Sequence, residues 1–404
     1  MSERERTARV RSAVAGAPSP AFRFVILIGV VSLFADMTYE GARSITGPYL
    51  AVLGASATVV GIVAGGGEFL GYALRLVSGR LSDRTGAYWP VALIGYVVQM
   101  AAVPALALAG SWEAAAFLIV LERIGKALRN PPRDAMLAHA TTEIGRGWGF
   151  GVHEALDQAG AMIGPLVAAF VLAARGQYAA AFAVLLIPAI LTLGLLFVAR
   201  VTYPDPGNLA ARPADVQASG LPREAYVYLV AVMLVAAGFA DFSLMAFHFQ
   251  QAKTVPTAFV PVFYAVAMGV SGLGSLAWGR LFDRLGIVVL VPLTLVTALF
   301  APLAFLGAAG AAFVGTVLWG IGMGVHESIM AAAVANMVPA RRIASAYGLF
   351  NLLYGAAWFA GSAIMGVLYD VSIPALVAFS VVAELLAVPL ILVVHRARSS
   401  ASSA

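Results

Sequence analysis

The sequence predicts an all-α integral membrane protein with twelve transmembrane helices in two pseudo-symmetric six-helix halves. Three observations predict it. The 404-residue chain is 61% hydrophobic and only 11% charged, whereas a soluble domain carries about 25% charged residues. Twelve apolar runs are long enough to span a bilayer: 23–52, 57–78, 88–109, 112–130, 148–174, 178–200, 224–251, 256–278, 287–309, 311–337, 343–369 and 372–394. The octet Gly79-Arg80-Leu81-Ser82-Asp83-Arg84-Thr85-Gly86 returns as Gly279-Arg280-Leu281-Phe282-Asp283-Arg284-Leu285-Gly286, with six of eight positions identical. Such a repeat between apolar runs marks an internal duplication.

The organisation follows. Residues 1–22 form a polar tail, 23–201 the first bundle, 202–222 a linker, 223–395 the second bundle and 396–404 a short tail. The linker holds Pro204, Pro206, Pro213 and Pro222, with Gly207 and Gly220, and little apolar content. The N-terminal tail lacks the layout of a cleaved signal. Basic residues fall on one side: Arg4, Arg6, Arg9, Arg11 and Arg23, then Arg80 and Arg84, Arg133 and Arg146, Arg280 and Arg284, Arg341 and Arg342, Arg396 and Arg398. The opposite loops hold only Arg175 and Lys253. This bias places both termini in the cytoplasm. It also accounts for the net charge of +5 without a nucleic-acid partner. The absence of cysteine excludes disulfides, thiolate metal sites and thiol catalysis.

Ionisable groups inside a bilayer are costly and usually face a bundle interior or a cavity. Runs three, six and nine carry none in their interiors. Run one carries Asp36, Glu40 and Arg43 within about 60° of one another on one helical face. They are candidates for a proton or cation site, with Arg43 neutralising Glu40 as the structural alternative. Phe34-Ala35-Asp36 has a counterpart in Phe239-Ala240-Asp241 of run seven. Run two carries Glu68 after Gly65-Gly66-Gly67, then Arg75, which fit an interhelical ion pair as well as a transport role.

Run four places Glu122, Lys126 and Arg129 on one face, with Arg123 pointing elsewhere, and Pro131-Pro132 is expected to end or kink it. Arg123 and Lys126 are candidates for substrate or coupling roles. Arg129 reads as a gate or snorkelling residue. Run five puts His153, Asp157, Gly160 and Gly164 on one face. The glycines admit a close helix, Pro165 permits a bend, and His153 with Asp157 is a candidate proton-sensitive pair. In the second half the candidates are Asp241, His248, His326 and Glu327. Tyr39, Tyr72, Phe242, Phe247, Tyr347, Tyr354 and Trp358 are candidate cavity aromatics, and Glu384 has no assigned role.

These residues resemble the major facilitator superfamily across essentially the whole chain. The two octets are similar to its signature loop, and Gly160-x3-Gly164-Pro165 is similar to its fifth-helix antiporter motif. The run Arg123-Ile-Gly-Lys-Ala-Leu-Arg-Asn-Pro-Pro-Arg-Asp-Ala135 looks like a prokaryotic branch whose members are mostly called efflux transporters. Ala87-Tyr88 and Ile287-Val288 depart from the basic pair that often follows the loop glycine. The resemblance implies alternating access without a cofactor. Asp36, Glu40, Asp241 and Glu327 would couple protons. Arg43, Arg123, Lys126, His153, Asp157 and His326 would face the substrate. Gly79, Asp83, Arg84, Gly86, Gly279, Asp283, Arg284 and Gly286 would gate. Expected partners are a small-molecule substrate, protons and membrane lipid, and the chain is expected to be a monomer. The leading substrate is an amphipathic small molecule for export. The alternatives are an organic anion bound by Arg43, Arg75, Arg123 and Lys126, or a metal ion at Asp36, His248 and His326. A membrane enzyme or a sensor is the competing class.

Overall fold

A computed structural model describes residues 19–144, 146–204, 221–338 and 343–402. Most of the expected N-terminal tail and of the linker, and Arg341 and Arg342, lie outside them. The described residues are helical and contain no strand.

The first set of helices is α1 (Pro20–Val52), α2 (Ala57–Thr85), α3 (Tyr88–Ala105), α4 (Trp112–Ile144), α5 (Arg146–Arg175), α6 (Tyr178–Val184) and α7 (Leu186–Thr202). The second is α8 (Arg223–Gly238), α9 (Phe242–Gln251), α10 (Val260–Leu285), α11 (Leu290–Thr297), α12 (Phe300–Leu306), α13 (Ala309–Val325), α14 (Ala331–Ala335), α15 (Ile343–Val371) and α16 (Ile373–Ser402). Ten helical stretches are long and apolar enough to cross a membrane. One of them, Thr257–Leu306, contains two passes divided at the turn Gly286–Val289. The 33-residue α4 is as long as any but carries a dense row of charges. Twelve passes are consistent with these lengths. Large apolar side chains such as Phe170, Phe197 and Leu273 point outward, 67–75% exposed, as a lipid-facing belt requires.

Small residues set the closest helix contacts. A Cβ on Gly160 would lie 2.2 Å from the Leu33 carbonyl oxygen, and one on Gly164 would lie 2.2 Å from that of Met37. Both glycines therefore seat α5 on α1, as the sequence motif suggested. The two sets of helices meet along α2–α15, α5–α10 and α1–α9.

Four elements differ from expectation, each for a local reason. The repeated octets are not loops. They are the last two turns of α2 and α10, closed by Gly86 at φ 67° and Gly286 at φ 69°. Of the four octet glycines, Gly86 and Gly286 have positive φ, while Gly79 and Gly279 sit inside helices. Pro131 and Pro132 do not end α4. Pro131 lacks the N–H that would bond the Ala127 carbonyl, and Ser78 Oγ of α2 donates to that carbonyl instead, at 2.8 Å. Run seven is not continuous. It breaks at Phe239, which is extended, and restarts at Asp241, whose carboxylate accepts from Ser243 N at 2.9 Å as an N-cap. The freed carbonyls of Gly238 and Ala240 accept from Ser380 Oγ (2.6 Å) and Trp319 Nε1 (2.8 Å). Run ten carries a π-helical turn, His326–Met330, a form frequent at functional sites.

Candidate functional site

Between the two sets of helices lie two adjoining cavities of about 470 and 490 Å3. They share Glu40, Arg75, Lys126, Asn130, Arg133 and Glu154. The first set supplies most of the charge. The second supplies an aromatic wall, Phe350, Tyr354 and Trp358, with His326.

The cavity is shut at the end where α1 finishes and α2 begins. There the helices touch through backbone: Cβ atoms on Gly47 and Gly61 would lie 1.9 Å from Ser243 O and 2.2 Å from Ser362 O. Asp370, near the end of α15, seals this face by capping α2. Its carboxylate accepts from Ala57 N (3.1 Å), Thr58 N (2.9 Å) and Thr58 Oγ1 (2.6 Å). Residues nearer the opposite end, among them Arg133, Glu154 and Leu276, line the cavities.

A continuous chain of charged and polar side chains crosses the first set. Arg129 Nη2 donates to Asp36 Oδ1 at 3.0 Å, and Arg129 Nε donates to Gln99 Oε1. Gln99 Nε2 donates to Glu122 Oε1 at 2.8 Å, and Glu122 Oε2 lies 3.5 Å from Arg123 Nε. Arg123 Nη1 donates to Glu68 Oε1 at 2.7 Å, and Glu68 lies 3.4 Å from Arg43. Arg43 Nη2 then donates to Asp241 Oδ2 at 3.0 Å, reaching the broken helix of the second set. A second branch joins Lys126 Nζ to Glu40 at 4.0 Å, and Tyr264 of α10 donates its hydroxyl to Glu40. Tyr39 is a plate for two cations, with Lys126 Nζ 3.4 Å and Arg123 Cζ 4.9 Å from its ring centre.

Several expectations are corrected by this geometry. Arg43 pairs with Asp241 and Glu68, while Glu40 is held by Tyr264 and Lys126. Arg129 is 0% exposed and bound to Asp36, Gln99 and Tyr96. It does not snorkel, because α3 offers it polar partners inside the bundle. His153 Nε2 lies 2.9 Å from Ser32 Oγ, and Asp157 Oδ1 has no hydrogen-bond partner, so the two do not form a pair.

Of the candidate substrate residues, Arg43, Lys126 and His326 line the first cavity and Lys126 and Asp157 the second. Arg123 and His153 line neither cavity. The side chain of Glu327 lies outside the described residues. His248 and His326 each face a tyrosine hydroxyl at 3.0 Å, Tyr369 and Tyr354. Among the described residues, no cluster of three metal-ligating side chains occurs. Asp83 accepts from the Tyr88 hydroxyl at 3.3 Å. No ion pair among the described residues joins Asp83, Arg84, Asp283 or Arg284. Glu384 is fully buried beside the break at Gly238, with Thr297 Oγ1 donating to it at 3.2 Å. Reading the sequence missed Tyr264, Gln99 and Tyr96. Each is one polar group in an apolar run, and nothing local distinguishes it from ordinary packing.

The sequence profile of the Major Facilitator Superfamily matches residues 26–400. The chain belongs to this superfamily of transporters. It is 41% identical over 397 residues to an uncharacterized protein of Mycobacterium tuberculosis (strain ATCC 25618 / H37Rv), covering 96% of this chain and 97% of the relative. It is 31% identical to the multidrug resistance protein MdtH of Edwardsiella ictaluri over 126 residues, 31% of each chain. Among solved structures, the nucleoside transporter NupG superposes with a TM-score of 0.73 at 14% identity, covering 92% of this chain and 98% of that one. That likeness concerns the fold alone. In this chain the two sets of helices flank the cavities, and charged residues converge on them.

Proposed function

We propose that this superfamily member is a proton-driven exporter of a small amphipathic molecule, working by alternating access as a monomer in a prokaryotic plasma membrane with both termini cytoplasmic. The observation that carries the reading is the charge chain from Asp36 to Asp241, which crosses from one set of helices to the other beside a cavity shut at one face. A discontinuous helix, here capped by Asp241 and tied to the charge chain through Arg43, is a feature of transporter binding sites. The MdtH similarity supports export.

The chemistry runs through carboxylates. In the cavity-open form, Glu40 holds Lys126 and Tyr264, and so ties α1 to α4 and α10. A proton on Glu40 removes its attraction for Lys126. A proton on Asp36 does the same for Arg129. Each event loosens an inter-helix tie, so proton occupancy biases the equilibrium between the two faces. Asp241, 1% exposed, pairs with Arg43 at 3.0 Å and joins the second set of helices to the first.

The test uses inverted vesicles energised to an inside-acidic gradient, with a pH-sensitive dye as readout. A ligand found by thermal shift on the purified chain is then added. The expected result is partial collapse of the gradient with the wild-type chain and none with Asp36→Asn/Glu40→Gln. Undiminished collapse with the double variant would transfer the coupling role elsewhere and sink this assignment.

A further inference from the structure

We propose that Arg75 and Asn130 form the head-group subsite for a negatively charged substrate, a flat organic molecule bearing a carboxylate, sulfonate or phosphate. The inference rests on the transporter reading above and specifies its substrate class. The cations that line the cavities are Arg43, Arg75, Lys126, Arg129 and Arg133. Four of the five are matched to carboxylates: Arg43 to Asp241, Lys126 to Glu40, Arg129 to Asp36 and Arg133 to Asp134. Arg75 makes no ion pair among the described residues; the carboxylate that acts on it is Glu68, already shared by Arg43 and Arg123. Its recorded contact is the Tyr72 ring, 5.2 Å from Cζ, and its Nε is buried with no hydrogen-bond partner.

Asn130 gives a second, independent observation. It is 9% exposed, lines both cavities, and its Oδ1 has no hydrogen-bond partner. A half-turn of the amide exchanges its oxygen and nitrogen, so the same position can donate to an anion. Arg75 and Asn130 face the cavities from neighbouring helices. The Ser78 Oγ to Ala127 carbonyl bond, three residues from each, fixes α2 against α4 at this level. A buried guanidinium Nε and a buried amide oxygen left without hydrogen-bond partners are costly. An anion accepting from both would supply the missing hydrogen bonds and a countercharge that Arg75 does not share with Arg43 and Arg123.

The body of the molecule is read from what adjoins Arg75. Tyr72 meets Tyr354 edge-on with ring centres 5.5 Å apart, and Tyr354 lies 5.7 Å from Trp358. This aromatic ladder leads from α2 to α15, across the interface between the two sets. The Trp358 Nε1 is also buried without a partner, ready to donate to an oxygen of the ligand. A flat substrate with its charge at Arg75 would touch both sets of helices at once. Contact with both sets is what alternating access requires of a binding site.

The experiment titrates the full chain, in nanodiscs of zwitterionic lipid, with naphthalene-2-sulfonate, neutral 2-naphthol and cationic 2-naphthylmethylammonium. Thermal shift and tryptophan fluorescence report binding. The proposal expects saturable binding of the sulfonate, at least about tenfold tighter than of either other probe. Arg75→Gln and Asn130→Ala should each weaken the sulfonate about tenfold and leave 2-naphthol unchanged. Arg75→Lys should recover part of the loss, which also serves if Arg75→Gln does not fold. Equal binding of all three probes, or sulfonate binding indifferent to Arg75→Gln or to Asn130→Ala, overturns the subsite. Loss of sulfonate binding in discs containing phosphatidylglycerol assigns the site to a lipid head group and overturns it as a substrate site. Counterflow in proteoliposomes separates the two readings. Sulfonate binding without counterflow upholds the subsite and defeats the transporter. Counterflow of a neutral molecule by a chain that does not bind the sulfonate does the reverse.

Discussion

At the residue scale, the deciding fact is how each buried charge is matched. Asp36 and Arg129 are the clearest pair, with Arg129 wholly enclosed and Asp36 7% exposed. Removing one partner of a buried pair leaves the other uncompensated, at a cost of about 3–5 kcal/mol. Asp36→Asn is therefore expected to lower stability in detergent by that order, and Asp36→Asn/Arg129→Gln to regain much of it. A thermal or denaturant melt of the two variants checks this, and additive losses would mean the pair is not coupled. In transport, Asp36→Asn should keep counterflow and lose accumulation driven by a pH gradient. The sequence placed Asp36, Glu40 and Arg43 on one face. It could not choose among their partners, because those partners come from α2, α4, α9 and α10 and meet α1 only on folding.

At the element scale, the glycines divide by what surrounds them. Gly79 has only the Pro131 Cβ at 3.6 Å from an added Cβ, so Gly79→Ala is expected to be tolerated or to stabilise by about 0.5–1 kcal/mol. Gly86 is at φ 67°, so Gly86→Ala should cost about 1–2 kcal/mol through left-handed strain. Melting temperatures of the two variants compared with the parent test the division. An equal loss at both positions would restore Gly79 to a turn role. Gly164→Ala should be worse than either, since the Met37 carbonyl is backbone and cannot step aside.

At the scale of the whole molecule, the closed face is held by backbone contact and by one carboxylate. Asp370 makes three hydrogen bonds to the start of α2, so it joins the two sets only while that face is shut. Asp370→Asn is expected to favour opening there. The chain has no cysteine, so Thr46→Cys supplies a single reporter just behind the seal. Its labelling from that face should rise several-fold in the Asp370→Asn background. Unchanged labelling would reduce Asp370 to a helix cap without a gating role. Topology is tested separately: Arg84→Cys and Arg284→Cys should label from one and the same face, opposite to Thr46→Cys.

The sequence by itself determined the class, the apolar runs, the repeated octets that close α2 and α10, and which helices hold charge. Those follow from local chemistry, because length, hydropathy and glycine positions act within a single helix. It also marked Gly160 and Gly164 as contact points, since only a residue without a side chain permits backbone approach. Tertiary structure decided the rest. The break at Phe239 to Asp241 depends on Ser380 and Trp319 to receive its freed carbonyls, and α4 passes through Pro131 because Ser78 of α2 replaces the lost donor. Arg43 was visible as a buried cation, but its match to Asp241 exists only where α1 meets α9. Arg75 stands apart for the same reason: a charge is unmatched only in relation to neighbours that the chain brings to it by folding.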